Sequence, residues 1–422
     1  MQIIADLHIH SKYSRACSQQ LTLENIDKYS RMKGVDVVAT GDFTHPLWFK
    51  ELREKLIERE PGLYVLKSET NARPTRFLCS VEISCIYFKS GKTRRLHIVI
   101  FAPNLETVEK INVALGKIGN LSADGRPILG LDAKELAKIV LGINEKCMIV
   151  PAHIWTPWFA MFGSKSGFDS IEECFEEYSN KIFAIETGLS SDPLMNWRVK
   201  NLDKVSIISN SDAHSLPNIA REANVFELDE NQLSYDGICQ VIKRGDKNNF
   251  LYTIEFYPEE GMYHFDGHRE CGVSFSPSQS KKLKNICPVC KKPLTIGVLH
   301  RVEELAEANR PEGYIDTNRV PFKKLIELDK IIAESLNIKS RGAKQVQNEY
   351  MNLVNSFGSE FEVLLNASEQ DLEKITLPQI VEGIKRMRQG RVIVRPGFDG
   401  QYGEIKIFDQ DEKINYQKTL FN

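Results

Sequence analysis

The sequence predicts an α/β fold: seven short strands alternating with helices and closing into a barrel, followed by a small module bearing cysteines and a histidine, and then a helical C-terminal region. Three observations carry this. Short runs rich in Val, Ile and Phe recur through the first half of the chain. Between most of them lie segments with helical spacing of apolar residues. Acidic and histidine side chains stand where the runs stop. Alternation of strand and helix argues a parallel sheet, and seven such strands suggest a barrel, whose working side chains sit at the carboxyl ends of the strands.

Taken in order, the run Gln2 to Asp6 leads into Asp6-Leu7-His8-Ile9-His10. A helix is expected over Leu23 to Met32, then a strand over Val35 to Thr40 with Asp42 and His45 after it. Phe77 to Val81 ends at Glu82. His97 opens its own run, His97 to Phe101, and is the one candidate at the start of a strand. A helix over Leu131 to Leu141 precedes the strand Cys147 to Pro151 and His153. Ser170 to Glu177 has helical spacing, Ile182 to Glu186 reads as the sixth strand, and Val205 to Asn210 is followed by Asp212-Ala213-His214.

Imidazoles and carboxylates gathered this way suit a cluster of divalent metals, because each ion takes several N or O ligands and neighbouring ions share a bridging carboxylate. A single histidine near a strand end reads equally as a hydrogen-bonded core residue. The set together does not, since burying this many ionisable groups without a cation leaves unpaired charge. Glu69 competes with Glu82 for the bridging role; Glu82 follows the cleaner apolar run. The chemistry expected is hydrolysis.

Asp6-Leu7-His8-Ile9-His10-Ser11, Gly41-Asp42, Val81-Glu82, Pro151-Ala152-His153 and Ser211-Asp212-Ala213-His214 resemble the successive motifs of the polymerase and histidinol phosphatase (PHP) family. The resemblance implies a distorted seven-stranded βα barrel, similar to a TIM barrel, that binds up to three metal ions (Zn, Mg or Mn) and hydrolyses phosphoesters. It implies one site of His8, His10, Glu82 and Asp212. Glu82 would bridge to a second with His97 and His214, and His153 would serve a third with Asp42 or His45. The sequence departs from the family pattern at Ala16, where a further His often stands, and at Gly41-Asp42-Phe43-Thr44-His45 in place of Thr-Asp-His.

At 422 residues the chain has room for a second unit beyond a barrel. Its formal net charge of -2 excludes a globally basic nucleic-acid binder, so any basic surface is local. No apolar run reaches membrane-helix length and no signal segment opens the sequence, so no membrane association and a cytoplasmic location are expected. Six of the nine cysteines (Cys17, Cys79, Cys85, Cys147, Cys174, Cys239) sit singly and read as core or idle thiols of a reducing compartment.

The other three fall into His268-x2-Cys271 and Cys287-x2-Cys290, two knuckles offering four ligands to a structural zinc, with His264 and His300 as competitors for the fourth place. Around them Lys281, Lys282, Lys284, Lys291, Lys292 and Arg301 form a local basic patch, readable as a solvated face or as phosphate contacts. Helical spacing follows over Val302 to Ala308, Phe322 to Leu336, Ala343 to Val354, Phe361 to Leu365 and Leu377 to Arg388, and Glu404 to Phe408 reads as a short strand. Short helices with glycines at their ends and basic side chains nearby can hold a DNA backbone. The expected divisions are 1–256 (metallo-phosphoesterase), 257–300 (zinc module), 301–395 (helical, DNA-contacting) and 396–422, whose Gln417, Leu420 and Phe421 fit a sliding-clamp-binding tail.

Across its length the chain resembles the endonuclease Q branch of the PHP family, through His153-Ile154-Trp155-Thr156-Pro157-Trp158-Phe159, Phe162-Gly163-Ser164-Lys165-Ser166-Gly167-Phe168, Glu186-Thr187-Gly188-Leu189-Ser190-Ser191-Asp192 and Gly297-Val298-Leu299-His300-Arg301-Val302-Glu303-Glu304-Leu305. This implies a nuclease that nicks double-stranded DNA 5′ to deaminated bases (uracil, hypoxanthine, xanthine) and abasic sites. His8, Asp212 and Asp192 are then the expected catalytic residues, Asp192 as acid, base or further ligand. Arg221 reads as a phosphate clamp or a structural ion pair. Trp155, Trp158, Phe159 and Phe162, with Lys165 in the same loop, read as contacts to an everted base or, for the aromatics, as a cap on the barrel core. The alternatives are a phosphatase of small phosphomonoesters and a different DNA exo- or endonuclease.

Overall fold

The protein is described by a computed structural model over residues 1–71 and 73–409; the tail expectation on Gln417, Leu420 and Phe421 lies outside the described residues. All seven expected runs form strands, and others join them. In chain order they are β1 (Gln2–Asp6), β2 (Val37–Ala39), β3 (Leu56–Glu60), β4 (Leu63–Leu66), β5 (Arg76–Lys89), β6 (Lys92–Ala102), β7 (Ile128–Leu129), β8 (Met148–Pro151), β9 (Ala184–Glu186), β10 (Ser206–Ile208), β11 (Ala223–Glu227) and β12 (Phe250–Glu255). Further on come β13 (Asp266–His268), β14 (Val273–Phe275) and β15 (Phe322–Lys324).

A mixed central sheet runs β15-β12-β11-β1-β2-β5-β4-β3, with β6 and β7 on β5 and β8 on β6. The expected all-parallel arrangement is corrected here. β1, β2 and β5 are parallel neighbours, but β11 pairs antiparallel with β1, and β6 with both β5 and β8. The cause is local. Ser90 and Gly91 link β5 to β6 with φ of 51° and 76°, the two left-handed positions of a type I′ turn, which folds the chain directly back. The parallel pair β9–β10 completes the path by single contacts: Ile154 N to Glu186 O at 3.2 Å, and His10 N to Ala213 O at 3.1 Å.

Strand periodicity sorts the side chains into two cores. Ile3, Ala5, Leu7, Leu78, Val99, Phe101 and Val150 share one cluster. Val81, Ile83, Ile98, Ile100 and Ile149 point the other way and pack with Ile26, Ile111, Leu136 and Val140 from helices Leu23–Lys33, Leu105–Leu115 and Ala133–Ile143. The first face continues outward into chemistry: Glu82 is opposite Val99 and Ser84 opposite His97. His97 therefore lies mid-strand in β6, and the antiparallel hairpin carries it to the end of the sheet where parallel strands present their carboxyl ends.

Downstream, β13 and β14 form a hairpin, and the expected helix Phe322 to Leu336 divides into β15, parallel to β12, and helix Leu328–Ser335. Helices Lys344–Phe357, Glu369–Ile375 and Pro378–Arg388 follow; the middle one, N-capped by Ser368, was not expected. The buried Glu360 ties this region to the first helix, accepting from Lys33 Nζ at 2.7 Å, Leu328 N at 3.1 Å and Tyr350 Oη at 2.7 Å. Among the described residues no helix is long and apolar enough to cross a membrane.

Candidate metal centre

Two groups of ligand atoms meet at the end of the sheet, each with its atoms within 4.8 Å of one another: His8, His10, Glu82 and Asp212, and Glu82, His97 and His153. Glu82 belongs to both. Its Oε1 lies 2.7 Å from His97 Nδ1 and 3.1 Å from His153 Nε2, while Oε2 lies 3.2 Å from His10 Nε2. Asp212 Oδ1 is 3.0 Å from His10 Nε2.

Outer carboxylates fix the rings. His8 Nδ1 lies 3.0 Å from Glu186 Oε1, and His10 Nδ1 lies 3.0 Å from Asp42 Oδ1, whose other oxygen accepts from Ser11 N and Oγ. Both Nε2 atoms are thereby turned inward, the carboxylate–histidine arrangement that orients metal-binding imidazoles. Glu186 also accepts from His153 N and Asn210 Nδ2, so one buried side chain braces three loops. Asp42, His153 and Asp212 adopt φ of 50°, 29° and 45°. Left-handed backbone at three non-glycine positions is costly and persists where the surroundings impose it. Gly188 is required beside them, since a Cβ there would stand 2.3 Å from His153 Cβ.

A divalent cation fits this donor set. His8 Nε2 is buried without a hydrogen-bond partner and faces Glu82 Oε2 and Asp212 Oδ1 at 3.7 Å each, too far to bond and well placed to share an ion. Electrostatics agree. Burial pulls the His8 and His10 rings down, yet the carboxylates (Glu186 and Glu82 for His8; Asp42, Asp212 and Glu82 for His10) raise both well above the ordinary histidine value. Burial would raise Glu82, but His97, Arg126 and the neighbouring imidazoles hold it well below the carboxylate range. The pocket is built to surround positive charge.

Several expected placements change. His153 joins Glu82 and His97 in place of His214, because β8 is the direct neighbour of β6. His214 stands aside, Nδ1 on the carbonyl of Asp212 at 2.8 Å and its ring 4.6 Å from that of His10. Asp42 orients His10, and His45 stacks on Tyr13 at 4.4 Å, so neither meets His153. Glu69 is remote, binding Thr70 N and Asn71 N. Asp192 caps helix Pro193–Trp197 through Met195 N and pairs with Lys324 at 2.8 Å, and it belongs to neither group. Arg221 donates Nε to the Ser211 carbonyl at 3.0 Å, bracing the Asp212 loop.

Of the loop aromatics, Trp155 and Phe162 are buried against each other, and Trp155 Nε1 donates to Asn196; they are core. Phe159 lies 4.9 Å from His97, Lys165 is exposed, and Trp158 is 38% exposed with its ring edge-on to Tyr263. Trp158 helps to line a cavity of about 270 Å³ with Pro258, Met262, Tyr263, His264 and Tyr402. Two residues were overlooked in the sequence. Glu186 ends a strand as Glu82 does, and that signal could have found it. Arg126, whose Nη1 is 3.1 Å from Glu82 Oε2, stands in a loop with no periodicity to mark it.

His268, Cys271, Cys287 and Cys290 form a separate group, again within 4.8 Å of one another, on the β13–β14 hairpin and the knuckle beyond it. The competitors are engaged or distant from it: His300 Nδ1 binds Asp266 at 2.6 Å, and His264 is buried beside Phe265. Arg301 of the expected basic patch is turned inward, to the carbonyls of Phe162 and Phe168 and to Asp169.

Fold and site together define a mixed α/β protein with a buried metal-binding pocket built around one shared carboxylate. Along its whole length it resembles endonuclease Q. The solved lesion-specific endonuclease PfuEndoQ from Pyrococcus furiosus superposes with a TM-score of 0.83 at 28% identity, over 96% of this chain and 95% of that one. An endonuclease Q complex with a 27-mer duplex substrate carrying an abasic lesion at the active site superposes at 0.82 and 28% identity, over 97% of each chain. The uncharacterized protein YqxK of Bacillus subtilis is 27% identical over 96% of this chain and 99% of its own length. The uncharacterized protein MJ0043 of Methanocaldococcus jannaschii is 33% identical over 258 residues, 61% of this chain, and this stretch spans only 32% of that longer protein. The MJ0043 C-terminal domain family matches residues 327–391.

Proposed function

We propose that this protein is a metal-dependent DNA repair endonuclease that hydrolyses the phosphodiester 5′ to deaminated bases (uracil, hypoxanthine, xanthine) and to abasic sites. The observation that carries the reading is the likeness, over 97% of both chains, to an endonuclease Q complex with lesion-bearing duplex. The pocket's chemistry supports it. Two divalent ions (Zn, Mg or Mn), held by His8, His10, Glu82 and Asp212 and by Glu82, His97 and His153, would supply a nucleophilic water and stabilise the attacking and leaving oxygens.

The chain's own contribution is orientation. Glu186 and Asp42 hold the His8 and His10 rings, and Glu82 is shared, which fixes the spacing between the two groups. Residues 1–256 would be the catalytic unit, 257–300 a module closed by one zinc on His268, Cys271, Cys287 and Cys290, and 301–395 a helical surface for the duplex. Such four-ligand sites are structural, since no position is left for substrate. An everted base would enter the cavity beside Trp158, Tyr263 and Tyr402, where aromatic faces can stack on it. Free cysteines buried in the interior suit a reducing compartment, and we place the protein in the cytoplasm.

The test is a nicking assay on 5′-labelled duplexes containing uracil, hypoxanthine, xanthine, an abasic site or no lesion, with divalent metal or chelator. Metal-dependent cleavage 5′ of each lesion, sparing the control, is expected. Turnover of a small phosphomonoester with no nicking would replace this reading with a phosphatase.

A further inference from the structure

Arg126 enters the pocket from the loop between helix Leu105–Leu115 and β7, a loop fastened on several sides. Gly125 N donates to Tyr13 O at 3.0 Å, Ser84 N donates to Pro127 O at 3.0 Å, and Asp124 Oδ1 accepts from both Arg15 N and Arg126 N. Gly125 lies so close to the carboxylate orienting His10 that a Cβ there would stand 2.4 Å from Asp42 Oδ2. The arginine's backbone is thus positioned by the loops that carry the ligands. Its side chain is 26% exposed, reaching from the pocket mouth to Glu82.

We propose that Arg126 binds a non-bridging oxygen of the scissile phosphodiester, a role that rests on the phosphodiesterase reading above. Three features support it. Among the described residues it is the one Arg or Lys whose side chain hydrogen-bonds to a member of either metal-binding group, through Nη1 to Glu82 Oε2 at 3.1 Å. That is its single side-chain hydrogen bond there, so most of a guanidinium's five N–H donors stay available. Its side chain is 26% exposed, so a ligand entering the pocket can meet it.

Three other cations near the ligand loops are engaged elsewhere or exposed. Arg221 braces Ser211, Lys12 pairs with Glu51 at 2.8 Å, and Lys165 is exposed on its loop. A planar fork matches two oxygens of a phosphate and favours the extra negative charge of the transition state, which a point charge does less well. The competing role is purely internal: Arg126 would only neutralise Glu82 and hold it for the metals.

Arg126→Met and Arg126→Lys in the full chain separate the two, with bound metal measured directly. Two probes are used: bis(p-nitrophenyl) phosphate, a diester that needs no DNA, and an abasic-site duplex bound in chelator across a salt series. The proposal expects unchanged metal content, a loss of about 100-fold in kcat/KM on the diester for the Met variant, and a salt slope of duplex binding shallower by about one. The Lys variant recovers part of both. Wild-type turnover and slope in Arg126→Met would overturn it, as would lost metal with activity restored by excess metal. Wild-type protein that hydrolyses the diester in an Arg126-dependent way but nicks no lesion duplex would sink the repair reading and leave the arginine assignment standing. Wild-type protein inert toward both substrates would overturn both.

Discussion

At the end of the central sheet, His8, His10, Glu82, His97, His153 and Asp212 come from five separate strands and converge as nitrogen and oxygen donors below the surface. At the β13–β14 hairpin, His268, Cys271, Cys287 and Cys290 come from one short stretch, and three of the four donors are sulfur. Cys290 there is exposed, whereas His8, His10 and Glu82 are buried. The first arrangement shares a carboxylate between two groups and is braced by outer carboxylates. The second is a closed set of four. The contrast teaches that one polypeptide can use the same elements of coordination for opposite ends: a pocket whose geometry the sheet imposes, and a knot whose geometry the metal itself would impose.

That difference should show most strongly in which property each cluster controls. Asp212→Ala or His8→Ala is expected to abolish lesion cleavage, with the midpoint of thermal unfolding nearly unchanged, as gel-based nicking and calorimetry would report. Cys287→Ser is expected to do the reverse in kind. Structural zinc sites contribute on the order of 10 kcal/mol of binding energy that is also folding energy, so this variant should lose one metal equivalent by mass spectrometry and unfold at markedly lower temperature. Cleavage abolished in both variants with no loss of stability in either would erase the distinction.

Glu186→Gln tests the bracing. It leaves every ligand in place and alters what holds His8, the His153 loop and Asn210, so activity or metal affinity should fall about 10- to 100-fold. An effect as total as that of Asp212→Ala would make Glu186 a ligand. Trp158→Ala should weaken lesion preference while leaving metal content untouched, and an unchanged ratio of lesion to control cleavage would mean that the cavity does not select the lesion.

The smallest effect concerns a third buried cluster with neither a metal group nor a cysteine. Burial, then the charge of Glu255, holds Glu222 well above the carboxylate range, and burial with Asp192 pushes Glu255 up to about 8. Here a proton takes the place of a cation. Because the folded value is raised, the folded chain keeps protons that the unfolded chain releases above about 4.5, so this stability is full below that pH and is lost as pH rises through about 8. The unfolding midpoint of the wild type should decline across that window, and Glu255→Gln should flatten the decline. A parallel decline in the variant would assign the slope to other groups.

What the sequence made legible follows the same division. His268, Cys271, Cys287 and Cys290 are neighbours along the chain, so spacing grouped them as the structure does, with only the fourth place left open to His264 and His300. The strands were legible because short runs rich in Val, Ile and Phe mark them. Their order was not, and the grouping of His153 with Glu82 and His97 follows from it: β8 lies beside β6, a pairing between distant segments that no local pattern encodes. Trp155 and Trp158 look alike in sequence, yet one is core and the other lines a cavity, because a loop has no period to assign its faces. Arg126 was invisible for the same reason. Asp192, which sequence offered as acid, base or further ligand, caps a helix and lies in neither ligand group.

β15 lies parallel to β12 at one edge of the central sheet, and the whole cysteine-bearing segment intervenes between them in the chain. The sheet thus receives its last strand only after that segment has been synthesised and spanned. A nascent chain halted before Phe322 presents β12 with an unpaired row of backbone donors and acceptors, the template on which other chains add. Order of synthesis then sets how long that edge stays open, and a chain ending anywhere within or before the cysteine segment leaves β12 without its β15 partner.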